Sequence, residues 1–402
     1  MWSARQQASP EAVKIVEQVL DSFPEPFGGL PKVFWERILD GKHESLFRRF
    51  MEIMGASFPS FCALMFRIAP KGKPEQPFLF NYPQRLLWGQ MASMIKDQRP
   101  LFIIILKARQ LGMSTLCAAW VFWHCWRKQH TRCLTVAHEK PLAEHIISML
   151  RTGYNGLPDI KGIKPIQRQK HAETIPRGEM VFADRDSQNI THLAKNLQPR
   201  GGSAEIIWES EKAFYPNPER LDGALLPQLP SLGTYERQMC SFIRESTPYG
   251  MNYFHTEYQA AEHVYPAQTK YGENDGVEDV AVFYPWILHH ESEFGGYSLP
   301  VPKGFKLSNE EKKKQEAFSR IRKMYDGKDV TIEQMHWYRE TLEGKPYFGD
   351  EDYFEMEYPS NDRNCWLLSS DNAFRHVMTW LNATVMDAPS RSQEAWERIG
   401  IS

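Results

Sequence analysis

The sequence predicts an α/β fold with a mainly parallel central sheet flanked by helices, and three observations carry that prediction. Short apolar runs, Leu101 to Leu106, Thr131 to Ala137 and Ala204 to Trp208, read as strands buried on both faces. Stretches of helical periodicity separate them, the alternation expected of a parallel sheet covered by helices. The third observation is the loop after the first run, KARQLGMST (Lys107 to Thr115), which holds a glycine and enters a helix with two hydroxyls in its first turn. Buried strand, glycine-containing loop and helix N-terminus form the layout that cradles phosphate oxygens through backbone N–H groups.

Taken in order, residues 1–75 predict a helical N-terminal extension. Pro10 to Ser22, Lys32 to Leu39 and Glu44 to Met54 carry amphipathic spacing, with Ile15, Val16, Val19 and Leu20 on one face of the first. Residues 76–279 form the predicted core. Within it, Phe80 to Ile95 reads as a turn entering a helix, and Lys140 to Leu150 as a second helix. Glu179 to Ala183, Ile190 to Leu193 and Met239 to Glu245 read as further strands. Val280 to Leu288 reads as a strand opening a smaller lid or linker subdomain, residues 280–374. Its helices span Ser308 to Tyr325, opened by a Ser308–Glu311 capping box, and Thr331 to Leu342. Residues 375–402 read as a C-terminal helix and tail.

A chain of 402 residues that is 42% hydrophobic can bury a large core divided into two or three domains. It has no run of eighteen apolar residues and no apolar N-terminal leader, so a soluble cytoplasmic protein is expected. Its six cysteines never form C-x-x-C and read as reduced core residues. His289-His290 has no partner at metal-binding spacing. With a formal net charge of −2, contact with nucleic acid must come from a local basic face. Two stretches qualify, the loop Lys161 to Arg185 and the helix Lys312 to Lys323, although charge runs are ordinarily solvated faces.

The phosphate-loop match is incomplete. Against G-x-x-x-x-G-K-[ST], with Gly112 as the second glycine, Met113 stands at the lysine, Ser114 at the metal-binding hydroxyl and Lys107 at the first glycine. A lysine at the start of the loop is long enough to fold over the same phosphates. Taken alone, the segment also reads as an ordinary strand–helix turn. An ATPase further needs a strand ending in carboxylates, one to hold Mg²⁺ through water and one to orient the attacking water. Ala204 to Trp208 followed by Glu209-Ser210-Glu211 supplies such a strand. Glu211 is the expected catalytic carboxylate, while the metal partner is either Ser210 through its hydroxyl or Glu209.

KARQLGMST, SEKAFYPNP and ESTPYG, in that order, resemble the ATPase module of the large terminase subunit of tailed bacteriophages, the motor that packs DNA into procapsids. The similarity runs from Phe80 to Phe374 and implies a P-loop NTPase fold of the ASCE type, with ATP and Mg²⁺ as cofactors. In that family both a displaced lysine and a serine-glutamate strand end occur. The resemblance implies that Lys107 and Arg109 grip phosphates within an ATP-binding loop that includes Gln110, Gly112 and Met113. Ser114 would bind Mg²⁺ and Thr115 would support the loop. Gln84, in NYPQR, is similar to the glutamine that reads the adenine edge. Ser246 and Thr247 would sense the γ-phosphate and couple it to the DNA-gripping surface. Arg200, in PRGG, matches an arginine finger for the neighbouring subunit, and equally reads as a turn arginine beside Gly201-Gly202.

The implied partners are double-stranded DNA, the portal protein, the small terminase subunit and further copies in a homo-oligomeric ring, at a procapsid in the host cytoplasm, with no membrane. FYPWIL, EQMHWYRE and FEMEYPS resemble the family's lid. Large terminases usually continue into a nuclease of RNase H type. In the last thirty or so residues this chain offers only Asp371 and Asp387 as aspartates for such a metal site, so no nuclease activity is expected. Two other readings are a helicase-like, DNA-stimulated ATPase and a non-hydrolysing adaptor with a degenerate loop, the latter favoured by Met113 and Ser210.

Overall fold

In the computed structural model, which describes residues 3–23, 29–167, 178–196, 202–231, 234–264, 279–363 and 365–366, eight strands form one sheet. They are β1 Leu101–Lys107, β2 Arg132–Ala137, β3 Gly178–Phe182, β4 Ser187–Leu193, β5 Ile206–Ser210, β6 Ser241–Ser246, β7 Glu262–His263 and β8 Val280–Tyr284. Their spatial order is β3-β4-β2-β5-β6-β1-β8-β7, and every neighbouring pair is parallel except β3 with β4. The sheet is thus mainly parallel with one antiparallel edge hairpin, in an α/β architecture. All residues of β1, β5, β6 and β8 are buried, and β1 and β8 accordingly read as apolar runs without alternation.

One strand lies elsewhere than the sequence suggested. Val280–Tyr284, expected to open the lid, pairs along its whole length with Ile103–Lys107 of β1. A five-residue apolar segment with no polar face needs cover on both sides, and the interior of the sheet supplies it. After it the chain leaves through a 3₁₀ turn, Trp286–Leu288, into the helices Asn309–Asp326, Ile332–Glu343 and Glu351–Glu357. The Ser308–Glu311 capping box is present. Trp286 is the centre of this part, with the rings of Trp337, Phe318, Tyr338 and Phe354 around it.

The helix after β1, Met113–Arg127, is buried on nearly every side, which explains its lack of a polar face. One side lies on the sheet. The other is covered by Phe58–Leu64, a helix that sequence periodicity did not reveal because FPSFCAL has no polar stripe. Phe58 meets Trp120 and Trp123 with ring centroids 5.2 and 5.5 Å apart, and Phe61 meets Trp126 at 4.8 Å. The indole N–H groups of these three tryptophans each find an acceptor. Trp120 donates to Ser241 Oγ (3.3 Å), Trp123 to Met54 O (2.8 Å) and Trp126 to Ile163 O (2.8 Å). The N-terminal helices Pro10–Val19, Lys32–Ile38 and Glu44–Ala56 join the same core.

Candidate active site

β1 delivers Lys107 at its C-terminal end, and the chain then passes through two left-handed residues, Gln110 (φ 55°) and Gly112 (φ 76°). A Cβ at Gly112 would lie 2.5 Å from Gln84 Nε2, so this position favours glycine for both conformation and space. The reason for the close approach is a fastening from beneath. Gln84 Nε2 donates to Gly112 O (2.6 Å), its Oε1 accepts from Asn81 N (2.9 Å), and Asn81 Nδ2 donates to Leu111 O (3.1 Å). On the outer side Arg109 N donates to Glu357 O (2.9 Å), the Arg109 guanidinium pairs with Glu357 (2.7 Å), and the Tyr297 hydroxyl donates to Arg109 O. The helix that starts at Met113 leaves its first N–H groups without intrahelical partners and presents a positive dipole end. The loop is therefore held from two sides with anion-binding groups at its centre.

β5 ends at Ser210, and Glu211 follows in the left-handed region at φ 56° and ψ 49°. A non-glycine residue there costs about 1–3 kcal/mol and persists only where surrounding contacts hold it. The contacts are specific. Glu211 Oε1 lies 2.8 Å from Lys107 Nζ, while Oε2 accepts from Thr247 N (3.2 Å) and Ser246 Oγ (3.3 Å). Burial opposes ionisation of Glu211, but the Lys107 charge and these hydrogen bonds outweigh it and hold the carboxyl below its ordinary range. Lys107 is buried as well, and its desolvation is overcome by Glu211 and Glu245, which raise its pKa above the ordinary lysine value. Both groups are charged at neutral pH.

β6 lies between β5 and β1, and it introduces a carboxylate that the sequence reading did not single out. Glu245 is fully buried. Its Oε1 accepts from Ser114 Oγ (2.6 Å) and Ser210 Oγ (2.9 Å), and its Oε2 stands 3.4 Å from Lys107 Nζ. The signal was present in the sequence as a glutamate at the end of the strand Ser241–Ser246, directly before Ser246-Thr247. Glu357 and Tyr297, which hold the loop from outside, gave no such signal because their partners are backbone groups and Arg109.

Of the residues expected to act together, Lys107, Ser114, Ser210, Glu211, Ser246 and Thr247 converge. Others depart from expectation. Glu209 is not beside the loop: the alternation of side chains along a strand sends it to the opposite face from Ser210, where it meets Lys212 at 2.9 Å. The Thr115 hydroxyl points away toward Met149 Sδ (3.7 Å), because helix rotation carries it past the loop. Met113 buries its side chain in the main core and has only its backbone to offer a ligand. Gln84 is 3% exposed, with its amide oxygen and nitrogen both bonded to the chain, so its observed work is to hold the loop. Arg109 and Gln110 are exposed, and Arg200 lies outside the described residues.

Among the described residues no group of three or more His, Cys, Asp or Glu side chains is placed to hold a metal ion. A divalent cation here would share its coordination with nucleotide phosphates, as Mg²⁺ commonly does. The donors fit that role: two hydroxyls converge on a buried carboxylate whose Oε2 makes no hydrogen bond. The six cysteines are buried and none forms a disulfide. His289 is buried, and desolvation pushes its pKa down to about 4, so it is a neutral core histidine.

Behind β5 and β6 lies a second ionic cluster. Lys212, fully buried, sits 2.9 Å from Glu209, 2.6 Å from Asp222 and 2.9 Å from Glu257, and Arg244 pairs with Glu257 (2.8 Å) and Asp279. Burial and the neighbouring Glu209 charge push Asp222 up to about 8.

Of the two basic candidates for DNA, residues 168–177 of the first lie outside the described residues. On the second, Lys314 and Lys323 pair with Glu351 and Asp329 and Arg322 is buried, leaving Lys312, Lys313 and Arg320 exposed. Among the described residues no helix is long and apolar enough to cross a membrane.

Comparison of the sequence with protein-family models and with curated proteins finds no match. Among solved structures, the chain is similar to the ATPase domain of the large terminase of Thermus phage P74-26, at 14% identity over 66% of this chain and 88% of that one, with a TM-score of 0.40. It is also similar to the large terminase of bacteriophage HK97, at 15% identity over 76% of this chain and 55% of that one, with a TM-score of 0.46.

Proposed function

We propose that this chain is an ATP-hydrolysing subunit of a DNA-packaging motor of the large-terminase type. The observation that carries the reading is the meeting of Lys107, Glu211 and the Ser246-Thr247 pair, groups from three strands far apart in sequence, at one end of the sheet beside a helix N-terminus. Ligands of parallel α/β sheets bind at the carboxyl ends of the strands, and all three groups are there.

In this reading the N–H groups at the start of the helix Met113–Arg127 bind ATP phosphates. Lys107, a permanent cation, compensates their charge from the inner side of the loop. Glu211, held ionised and aimed by three hydrogen-bonding groups, accepts a hydrogen bond from the attacking water and orients it. Ser114 and Ser210 would hold Mg²⁺, which when bound neutralises charge on the phosphates. Because Ser246 and Thr247 bond to the carboxylate that faces the water, any displacement of Glu211 during turnover pulls on the segment that follows β6. That supplies a route from chemistry to movement of double-stranded DNA. The reading extends to a homo-oligomeric ring in which a neighbouring subunit supplies an arginine, Arg200, and to docking on portal protein and small terminase subunit at a procapsid in the host cytoplasm. It assigns no nuclease to these residues.

The test is steady-state ATP hydrolysis with and without double-stranded DNA, alongside Glu211→Gln. Loss of a positioned general base lowers turnover by about 10²–10⁴-fold, and nucleotide affinity should persist. A Glu211→Gln protein with undiminished turnover would remove the assignment. Strand separation in an unwinding assay would point to a helicase instead, and absence of hydrolysis in the unaltered protein to an adaptor.

A further inference from the structure

We infer that Glu245 is the carboxylate that anchors the nucleotide-bound divalent cation, a duty relocated by one strand from β5 to β6. The inference rests on the ATP-hydrolysing reading above and assigns the cation's acidic partner within that site.

β5 has no acidic side chain to give at the level of Ser114. Glu209 is turned to the opposite face and locked to Lys212, Glu211 is engaged by Lys107 and the β6 end, and the residue between them is a neutral serine. In register, Ser210 of β5 lies opposite Glu245 of β6, and Glu245 lies opposite Ile105 of β1. Glu245 therefore stands between the two strands whose ends form the site. Its Oε1 already accepts hydrogen bonds from both hydroxyls expected near the cation, Ser114 and Ser210. Its Oε2 is buried with no hydrogen bond and only the Lys107 ammonium at 3.4 Å.

Physical cost argues in the same direction. A carboxylate in the middle of a fully buried strand end carries a desolvation penalty that an apolar side chain avoids, and β6's neighbour on β1 is an isoleucine at the matching position. A single ammonium, Lys107, serves both Glu211 and Glu245. A divalent cation that brings its own phosphate ligands gives the unbonded Glu245 Oε2 a partner, through the hard oxygen donors that Mg²⁺ selects. The arrangement also accounts for Ser210: with the charge supplied from β6, a second carboxylate on β5 would crowd like charges at hydrogen-bonding distance.

The experiment measures equilibrium binding of a fluorescent ADP to the full chain with and without Mg²⁺, and bound Mn²⁺ by electron paramagnetic resonance in the presence of ADP. Four proteins are compared: unaltered, Glu245→Gln, Ser210→Asp, and the exchange variant Ser210→Asp/Glu245→Ser. The unaltered protein should bind ADP more tightly with Mg²⁺. Glu245→Gln should keep its Mg²⁺-free affinity and lose about 10–100-fold of the cation-dependent gain, the range typical when a metal-site partner is removed. The exchange variant should regain the gain and the Mn²⁺ signal, because the charge has been returned to β5. If Glu245→Gln keeps the full Mg²⁺-dependent gain, Glu245 is not the cation's partner, although the ATP reading stands. If Glu245→Gln loses Mg²⁺-free binding as well and the exchange variant recovers neither, Glu245 is only a structural anchor of the loop. If the unaltered protein binds no ADP, the ATP reading itself fails and this inference falls with it.

Discussion

Replacing Lys107 with methionine tests the central ion pair, because the apolar stem is kept and the charge is lost. The ammonium stands 2.8 Å from Glu211 and 3.4 Å from Glu245. At an effective dielectric of about 20 these contacts have gross Coulomb energies of roughly 6 and 5 kcal/mol. The net loss is smaller, since the lysine's own desolvation is also removed; breaking a buried pair by deleting one partner costs about 3–5 kcal/mol. Glu211 retains 20% exposure of its side chain, which lets water compensate in part, so the expected loss near neutral pH lies toward about 3 kcal/mol.

The sign of the pH dependence distinguishes this cause from a packing defect. In the unaltered protein Glu211 titrates below the ordinary glutamate range, so its pairing contributes fully above that range and is lost only as pH falls through the lowered value. In Lys107→Met the Glu211 carboxylate loses the charge that holds it ionised against desolvation and keeps a proton that the unfolded chain releases. That variant should be least stable above neutrality and should recover as the pH falls toward about 5. Thermal or guanidinium unfolding at about pH 5 and about pH 7.5 reads the difference. A deficit of equal size at both pH values, or no deficit, would refute the ion-pair account. Adding Glu211→Gln to Lys107→Met should return part of the stability at the higher pH.

Three further outcomes follow from the geometry. Gly112→Ala should destabilise by roughly 1–3 kcal/mol, from the left-handed backbone and the approach to Gln84, measurable as a shift in unfolding midpoint. Combining it with Gln84→Ala should relieve only the steric share. Ser246→Ala removes a bond to Glu211 and an acceptor for Ala213 N, so kcat should fall by more than nucleotide affinity. Asp222 keeps its proton up to about pH 8 in the folded chain but loses it near pH 4 when unfolded, so stability should decline as pH rises between those values. In Asp222→Asn that decline should shrink, and stability near pH 8 should equal or exceed that of the unaltered protein.

The parallel sheet and the turn from β1 into the helix Met113–Arg127 were legible because their signals are local. β1 is an unbroken apolar run, and Gly112 before two hydroxyls marks a turn into a helix. Glu211 was legible from its place at a strand end. Relations between strands were not. That β6 intervenes between β5 and β1 is a fact of topology, and it is why Glu245 was overlooked while Glu209 was kept as a metal candidate. The face on which Glu209 lies follows from period-two alternation only once Ser210 is known to face the loop. The Val280–Tyr284 strand was recognised as a strand, but its place in the sheet depends on a partner far away in sequence. Thr115 and Gln84 were placed by likeness to other chains, and local rotation and capping direct their side chains elsewhere.

The all-round burial of the helix Met113–Arg127 bears on how the chain can be divided. Proline and glycine punctuation near residue 70 marks a change in sequence character, yet Phe58, Phe61 and Phe66 on its near side are fastened to Trp120, Phe122, Trp123 and Trp126 on the other. Full burial of side chains of this size stabilises by about 1.5–3 kcal/mol each, so a chain beginning at residue 76 would turn a spine of aromatic rings out to water. Such a truncation should aggregate or melt early instead of yielding a smaller working unit. The helix that begins at Met113 is thereby packed against the amino-terminal layer along its aromatic face, and the two cannot be separated without opening that contact.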